Sequence, residues 1–449
     1  CDPSCGSASF LVAALHYLTE ALYKSLVVHR NIDNEDDEET WKRKTLPFGL
    51  PSQAGLEEDI LPCRPSDPRF EDIVKSRLRR YVVERCIYGV DINPMAVELA
   101  RLSLWIETMD PELPFGFLDH KIKVGNSLVG CWFDRFREYP LAAWLREGGD
   151  KSHSNGVHYR KEEWTRAIKQ HFNSVIKPEM VSVITGQFTF KHPVLADPGT
   201  VHDEAMAVFE KLHNLAKNTD GIRQMETIYY IELRQNESWR RLKDAFDTWC
   251  AIWFWPADKL DIAPTPLTFL QPSENTLAEV RRLAHQHRFL HWELEFPDVF
   301  TKDRSGFDAV LGNPPWDTMQ PVSKEFFSNI DPIYRAYSKL DAVREQTRYF
   351  SDDKNVERSW LEYTGGFKAA GNLFANSANP FGDPELQTGV SINLGRGKDS
   401  ARLHTVWRER RAKANAVSYT SPNHPYTIQG EGKPYTYKLF LELSHALLR

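Results

Sequence analysis

The alternation of apolar and polar positions predicts helices joined by short strands. Apolar residues recur three or four positions apart in several segments, which is typical of helices with one buried face. Short apolar runs bounded by turn residues are typical of buried strands. The predicted helices are Phe10 to Leu26, Met95 to Trp105, Trp164 to Ile176, Asp203 to Lys217, Ile222 to Phe254, Ser323 to Phe350 and Tyr435 to Arg449, and the predicted strands lie in Cys86 to Pro94, Ile122 to Leu128 and Phe307 to Gly312.

Polar residues lie at the ends of these predicted helices and strands. A turn of small residues, Asp2 to Ser9, precedes the first helix and would let a ligand approach the backbone and the free N–H groups of the helix. Asp91 ends a predicted strand, and in nucleotide-binding α/β folds an acid at that place binds ribose hydroxyls. Asn126 stands at the tip of the next strand. The alternative role for Asp91 and Asn126 is the capping of strand ends.

The tetrapeptide Asn313-Pro314-Pro315-Trp316 follows the third predicted strand. Both prolines lack an N–H group and have φ near −65°, so the carbonyl of Pro314 points in a set direction. The side-chain oxygen of Asn313 supplies a second acceptor close by. Two converging acceptors suit an amino group, and the indole of Trp316 suits stacking on a flat ring. The motif therefore predicts a binding site for the exocyclic amine of an aromatic base.

Composition narrows the class of protein. The 449 residues are 41% hydrophobic, which is ample for a large core and more than one sub-domain. The net charge of −6 lacks the basic signature of a nucleic-acid-binding domain, although a catalytic domain whose DNA contacts lie elsewhere need not be basic. Six cysteines without paired spacing favour reduced thiols in the cytoplasm. No uncharged apolar run of membrane-spanning length and no signal peptide is visible.

Four stretches, in this order, resemble the motifs of the S-adenosylmethionine-dependent adenine-N6 DNA methyltransferases. They are Asp2 to Leu11, Gly89 to Trp105, Gly125 to Leu128 and Phe307 to Trp316. The likeness is to the large restriction-modification methylases of the Eco57I type and their relatives in phage-defence systems. It implies an α/β fold with a Rossmann-like class I methyltransferase sheet, S-adenosylmethionine as cofactor, and double-stranded DNA as substrate. It also leaves room for other subunits of a defence system.

The resemblance further implies a role for each motif. The Asp2 to Ser7 turn would face the methionine portion of the cofactor, Asp91 its ribose, Ile92 its adenine ring and Asn126 the amino edge of that ring. Ala8 departs from the family's usual glycine, with a modest effect expected on binding. No metal is expected. The predicted cofactor-binding residues are Asp2, Pro3, Cys5, Gly6, Ser7, Asp91, Ile92 and Asn126, and the predicted catalytic residues are Asn313, Pro314, Pro315 and Trp316.

The spacing of the motifs predicts three regions. Residues 1–130 would form the cofactor-binding half with an inserted loop at 28–79, residues 131–290 a mainly helical insertion, and residues 291–449 the catalytic half with long loops. The acidic run Asp33 to Glu39 is interpreted as a solvated loop rather than a docking site. The helical insertion could clamp DNA or a partner subunit, or simply support the fold. The first and fifth strands of the family's sheet are expected to be missing, as in a fragment of a longer protein.

Three other groups of residues are interpreted as structural rather than functional. His285, His287 and His291 lack the cysteines or acids that would complete a metal site, so we expect structural or exposed histidines. The segment His291 to Pro297 is interpreted as packing that positions the strand before Asn313. Trp253 to Trp255 is interpreted as core rather than a base-stacking surface.

The Asn313 to Trp316 motif would suit other amino groups as well. Cytosine N4, guanine N2 in RNA and the amide of a protein glutamine remain alternatives, although the cysteine-containing turn and the long insertions favour adenine in DNA. An alternative of a different class is a non-catalytic, methylase-like scaffold in a defence assembly. The intact Asn313 to Trp316 motif and Asp91 favour catalysis.

Overall fold

The computed structural model describes residues 1–30, 32–33, 63–108, 118–187, 198–214, 219–302, 305–386, 389–413, 425–427 and 435–449. All but the first residue of the predicted acidic run lies outside this part of the chain. The described strands are β1 (Gly89–Asp91) and β2 (Ile122–Val124). The described α-helices are α1 (Ser9–Arg30), α2 (Phe70–Cys86), α3 (Pro94–Glu107), α4 (Glu163–His171), α5 (Lys177–Ile184), α6 (Pro198–Asn214), α7 (Thr219–Thr227), α8 (Glu237–Phe254), α9 (Glu274–His287), α10 (Trp292–Glu295), α11 (Ser323–Ser328), α12 (Lys339–Asp352), α13 (Lys354–Asn376), α14 (Lys398–Lys413) and α15 (Thr436–Leu447).

Strands β1 and β2 pair in parallel, and residues 1 and 2 extend the sheet on the other side of β1. The Asp2 N–H donates to the Tyr88 carbonyl, and the Asp2 carbonyl accepts the Val90 N–H, both at 3.0 Å. These two residues form an isolated parallel bridge beside β1 and not a regular strand, so the absence of the family's first strand stays a prediction.

The segment before the Asn313 motif lies next in the sheet. The Leu311 N–H donates to the Cys1 carbonyl at 2.9 Å, and Phe307 pairs in parallel with Leu448 on the opposite side. Only the beginning of this segment is buried, so the prediction of a buried strand at Phe307 to Gly312 is wrong for its exposed later residues. The pairing of Phe307 with Leu448 is likewise an isolated bridge and not a strand. The segments therefore follow one another in the order β2, β1, residues 1–2, residues 307–311 and residues 448–449.

Helices α1, α2 and α3 share one hydrophobic core with β2. Leu11 and Leu15 of α1 share a core with Val97 of α3 and Ile122 of β2. By length and composition Ser9–His29 could also cross a membrane, but these two leucines pack as in a globular core. The predicted loop at residues 28–79 is wrong for its last ten residues, because α2 begins at Phe70 and buries apolar side chains at every fourth position. These side chains are Phe70, Val74 and Leu78.

The helical region after β2 builds a second, larger core. Trp253, Phe254 and Trp255 are buried there, which confirms their interpretation as core residues. The predicted helix from Ile222 to Phe254 is interrupted, because Asn236 caps a new helix by accepting the Trp239 N–H at 3.0 Å. The predicted helix from Ser323 to Phe350 is likewise two helices, α11 and α12, separated by a short 3-10 turn.

Buried charges join this helical region to the sheet. Lys121 is fully buried and donates to Asp298 at 2.7 Å, and Lys123 donates to Glu295 at 2.8 Å. Glu295 also pairs with Arg234. Since a buried charge that loses its partner is costly, these pairs fix how the helical region sits on β2. The described structure is a partial α/β fold, mostly helical, with a small parallel sheet.

Candidate active site

The turn after residue 2 is tied to the end of β1. The Cys5 N–H donates to the Val90 carbonyl at 3.0 Å, and the Gly6 N–H donates to Oδ2 of Asp91 at 2.9 Å. Gly6 has φ of +51°, a left-handed conformation that glycine adopts without steric cost. Oδ1 of Asp91 accepts the Asn93 N–H at 2.8 Å. Asp91 therefore has the capping role that the sequence left open. A carboxylate oxygen has more than one lone pair, so capping leaves acceptor capacity for a ligand.

Ala8 closes this turn in a strained conformation. It is fully buried, has φ of +73°, and its carbonyl accepts the Val12 N–H at 2.8 Å at the start of α1. A left-handed backbone costs a residue with a Cβ about 1–2 kcal/mol relative to glycine. The departure from the family's glycine therefore acts on the backbone of the turn, which the size of alanine alone did not indicate.

Asp2 is the buried acid of the site. Its side chain is 1% exposed, and Oδ1 accepts the Ser4 N–H at 3.0 Å. Burial raises the pKa of Asp2 to about 6, and the negative charge of Asp91 adds to this shift. Pro3 is also buried, and its carbonyl accepts the Ser127 hydroxyl at 2.5 Å. The turn thus holds both a protonatable carboxyl group and a direct tie to the loop that follows β2.

Gly312 brings the Asn313 motif against this turn. A Cβ atom on Gly312 would lie 2.4 Å from Oδ1 of Asp2, a distance that only glycine tolerates. The Asn313 motif and the Asp2 to Ser7 turn therefore lie side by side. This is the arrangement that transfer between two bound ligands requires. Gly312 is not among the predicted site residues, although its position directly before Asn313 was the available signal.

Asn126 and the remaining predicted cofactor residues lie around the same edge. Asn126 donates its N–H to the Arg288 carbonyl at 2.6 Å, and its side-chain oxygen accepts the Leu128 N–H at 3.1 Å. It therefore caps its own turn. Ile92 is 53% exposed directly after Asp91, which leaves an apolar surface available to a flat ring. Cys5 is buried and packs beside Gly89, whereas Ser7 is exposed.

The predicted catalytic motif lies at the surface. Asn313 and Pro315 are exposed, Pro314 is half-buried, and Trp316 is 70% exposed. The indole N–H of Trp316 donates to Oδ1 of Asn313 at 3.3 Å. The indole ring stacks on Tyr437, with 5.0 Å between centroids and 28° between planes. Tyr437 is not among the predicted site residues, because nothing local to a tyrosine in the first turn of a helix indicates a partner 121 positions away.

The histidines near residue 290 have structural roles. Nε2 of His291 bonds Oδ1 of Asp247 at 2.9 Å, and its Nδ1 accepts the Cys131 N–H at 3.1 Å. His287 stacks near Phe254, and burial lowers its pKa to about 4. Among the described residues, no group of three histidines, cysteines or acids could hold a metal ion. His291 to Pro297 packs as expected, with each residue from His291 to Phe296 buried.

Comparisons with known proteins identify the family of this chain. The profile of the Eco57I restriction-modification methylase matches residues 85–345, more than half of the chain. A Methanocaldococcus jannaschii protein with the provisional name of a type II restriction enzyme and methyltransferase is 23% identical over 282 residues. That alignment covers 58% of this chain, which spans about one fifth of the relative's length. No solved structure matches the chain significantly. The chain belongs to the Eco57I restriction-modification methylase family.

Proposed function

We propose that this chain is the catalytic core of a site-specific DNA methyltransferase that moves a methyl group from S-adenosylmethionine to N6 of adenine. The observation that carries the proposal is the contact between Gly312 and Asp2, which sets the Asn313 motif beside the Asp2 to Ser7 turn, whose Gly6 N–H donates to Asp91. Family membership supports methylation of DNA. The choice of adenine and of this cofactor rests on the residues of the site.

The order of the extended segments supports a Rossmann-like class I methyltransferase sheet. Numbered along the chain, the segments lie in the order third, second, first, fourth and fifth. In open parallel sheets, ligands bind beyond the carboxyl ends of the strands where the strand order reverses. Here that point lies between residues 1–2 and residues 307–311, which are followed by the Asp2 to Ser7 turn and by Asn313.

The residues around this point fit S-adenosylmethionine. The Asp2 to Gly6 turn would face its methionine portion, whose ammonium and sulfonium charges suit a buried carboxyl group. Asp91 would accept from the ribose hydroxyls, and the exposed Ile92 would cover one face of the adenine. Asn126 would lie at the amino edge of that ring. The cofactor supplies an electrophilic methyl group when bound.

The Asn313 motif would prepare the nucleophile. The lone pair of an adenine amine is delocalised into its ring, so the amine is a poor nucleophile. Acceptance of its two hydrogens by Oδ1 of Asn313 and the carbonyl of Pro314 would favour a pyramidal nitrogen with a localised lone pair. Positioning and electrostatics would do most of this work, and the proton would leave after methyl transfer.

The target base must leave the duplex to reach this exposed motif. Flipping costs a few kcal/mol, and stacking on an aromatic side chain recovers about 1–3 kcal/mol per base. The open face of Trp316 offers such a surface. We therefore propose double-stranded DNA as the partner, in the cytoplasm, within a restriction-modification or phage-defence system. Other subunits of such a system would complete the assembly.

Sequencing the methylated bases of a host genome with and without the intact gene tests this proposal. We expect N6-methyladenine at one recognition sequence that disappears when the gene is deleted. N4-methylcytosine in place of N6-methyladenine would show that the methylated amine is cytosine N4. Calorimetry on the full-length protein should detect binding of S-adenosylmethionine. No binding together with an unchanged methylome would favour the non-catalytic scaffold.

A further inference from the structure

The exposed catalytic motif is braced by the first turn of α15. The Thr436 N–H and hydroxyl donate to the carbonyl of Asp317 at 3.0 and 2.8 Å. Thr318 pairs with Tyr435 in an antiparallel bridge. These backbone contacts fix the chain immediately after Trp316. They also bring Tyr437 to the position where its ring can cover one face of the indole.

This stack determines where the indole N–H points. An indole that is 70% exposed would otherwise sample several rotamers. The ring of Tyr437 favours the rotamer in which the N–H lies 3.3 Å from Oδ1 of Asn313. An indole N–H is a donor only, so it selects the oxygen of the Asn313 amide and not its NH2 group. That oxygen keeps a second lone pair for another donor.

We propose that Tyr437 is a positioning residue that acts on Asn313 through Trp316. This inference rests on the proposed function and adds a supporting residue to the same site. Tyr437 covers one face of the indole and leaves the other face for the target base. The indole N–H then keeps the Asn313 oxygen turned toward the amine of that base. A phenylalanine or alanine at position 316 would lose this control of the amide, because neither has an N–H group.

The test measures methylation of duplex DNA by five forms of the full-length protein. They are the wild type, Tyr437→Ala, Tyr437→Phe, Trp316→Phe and the double variant of Tyr437→Ala with Trp316→Phe. We expect Tyr437→Ala to lower the single-turnover rate about threefold to tenfold, the range for loss of an aromatic pair. The dissociation constant of S-adenosylmethionine should stay within twofold. Tyr437→Phe, which keeps the ring, should restore most of the rate.

The double variant separates positioning from general support. If Tyr437 acts through the indole N–H, Tyr437→Ala should cost much less in the Trp316→Phe background than in the wild type. Equal costs in both backgrounds would overturn the proposal. A loss of cofactor affinity that parallels the loss of rate would also overturn it, because Tyr437 would then simply stabilise the fold.

A readout without catalysis keeps this inference distinct from the proposed function. The protein is labelled with 5-fluorotryptophan, and the resonance of residue 316 is assigned by its loss in Trp316→Phe. We expect Tyr437→Ala to shift and narrow this resonance, while Tyr437→Phe leaves it near the wild-type position. An unchanged resonance would refute the contact between the two rings. A wild type that methylates no adenine would refute the proposed function alone.

Discussion

The two sides of the candidate active site are built in different ways. On the cofactor side, both oxygens of Asp91 accept backbone N–H groups, and Asp2 is buried with its own backbone donor. On the base side, Asn313 and Trp316 are exposed and are held by one weak hydrogen bond and one aromatic stack. The first side is organised by hydrogen bonds from backbone N–H groups to carboxylates, and the second by contacts between exposed side chains. Substitutions on the two sides should therefore have different signatures.

The largest effect is expected on the base side. Asn313→Ala should abolish methylation, because the amine loses the acceptor that localises its lone pair. The affinity for S-adenosylmethionine should stay within a few-fold, since the hydrogen bond described for the Asn313 side chain is to Trp316 and not to Asp91 or the Asp2 to Ser7 turn. Radiolabelled methyl transfer and calorimetry measure the two quantities. Loss of cofactor binding would show that Asn313 is structural and that the two sides are not separable.

Substitutions on the proposed cofactor side should change the affinity for S-adenosylmethionine. Asp91→Ala should weaken binding of S-adenosylmethionine by about 1–3 kcal/mol, the scale of a hydrogen bond to a charged group. It should also lower the melting temperature, because the Gly6 and Asn93 N–H groups lose their acceptor. Asp91→Asn, which keeps one oxygen, is the matched control and should retain part of both. An unchanged dissociation constant for Asp91→Ala would remove its assignment to the ribose.

The contact between the two sides can be tested directly. Gly312→Ala should destabilise the protein by about 1–3 kcal/mol, the usual cost of an inserted methyl group in a tight site. The new Cβ would meet Oδ1 of Asp2 at 2.4 Å. Gly371→Ala, in a helix where a Cβ meets nothing within 4 Å, should be neutral or stabilising. If both variants unfold at the same denaturant concentration, the close approach at Gly312 is wrong.

The buried acid predicts a pH dependence confined to the cofactor side. Burial raises the pKa of Asp2 to about 6. In the protein without cofactor, the Asp2 carboxyl group is therefore mostly protonated below that pH. A bound cation favours the ionised carboxylate, and binding must therefore displace a proton at low pH. Affinity for S-adenosylmethionine should fall as pH decreases from 7 to 5, by at most about tenfold per unit. Asp2→Asn should remove this dependence, and a dependence that survives in Asp2→Asn would assign it to another group.

The smallest expected effect is a gain in stability. Ala8→Gly should raise the free energy of unfolding by about 1 kcal/mol, because glycine adopts φ of +73° without the steric cost of a Cβ. The greater flexibility of glycine in the unfolded chain reduces the gain. Denaturant unfolding measures it, and methylation should be unchanged. A destabilised variant would mean that the buried methyl group contributes more through packing than the strained backbone costs.

The local features of the site could be predicted from sequence. Glycine at position 6, an acid at the end of β1 and two prolines after Asn313 each reflect a backbone requirement within a few residues. Helix α15 was likewise visible as an amphipathic pattern. Patterns were less reliable where a cap overrides them, as Asn236 does within a long apolar repeat. The loop predicted at residues 28–79 is wrong over its last ten residues, because an insertion length alone says nothing about a helix that begins at Phe70.

Sequence by itself determined the order of the motifs and the family, and it predicted which residue types would face a ligand, because these features depend on short local stretches of the chain. Only the tertiary structure decided which distant residues meet. The pairing of Tyr437 with Trp316, of Gly312 with Asp2, and of Lys121 with Asp298 joins positions far apart in the chain. Such contacts depend on how several elements pack at once, and no local pattern of apolar and polar residues encodes that packing.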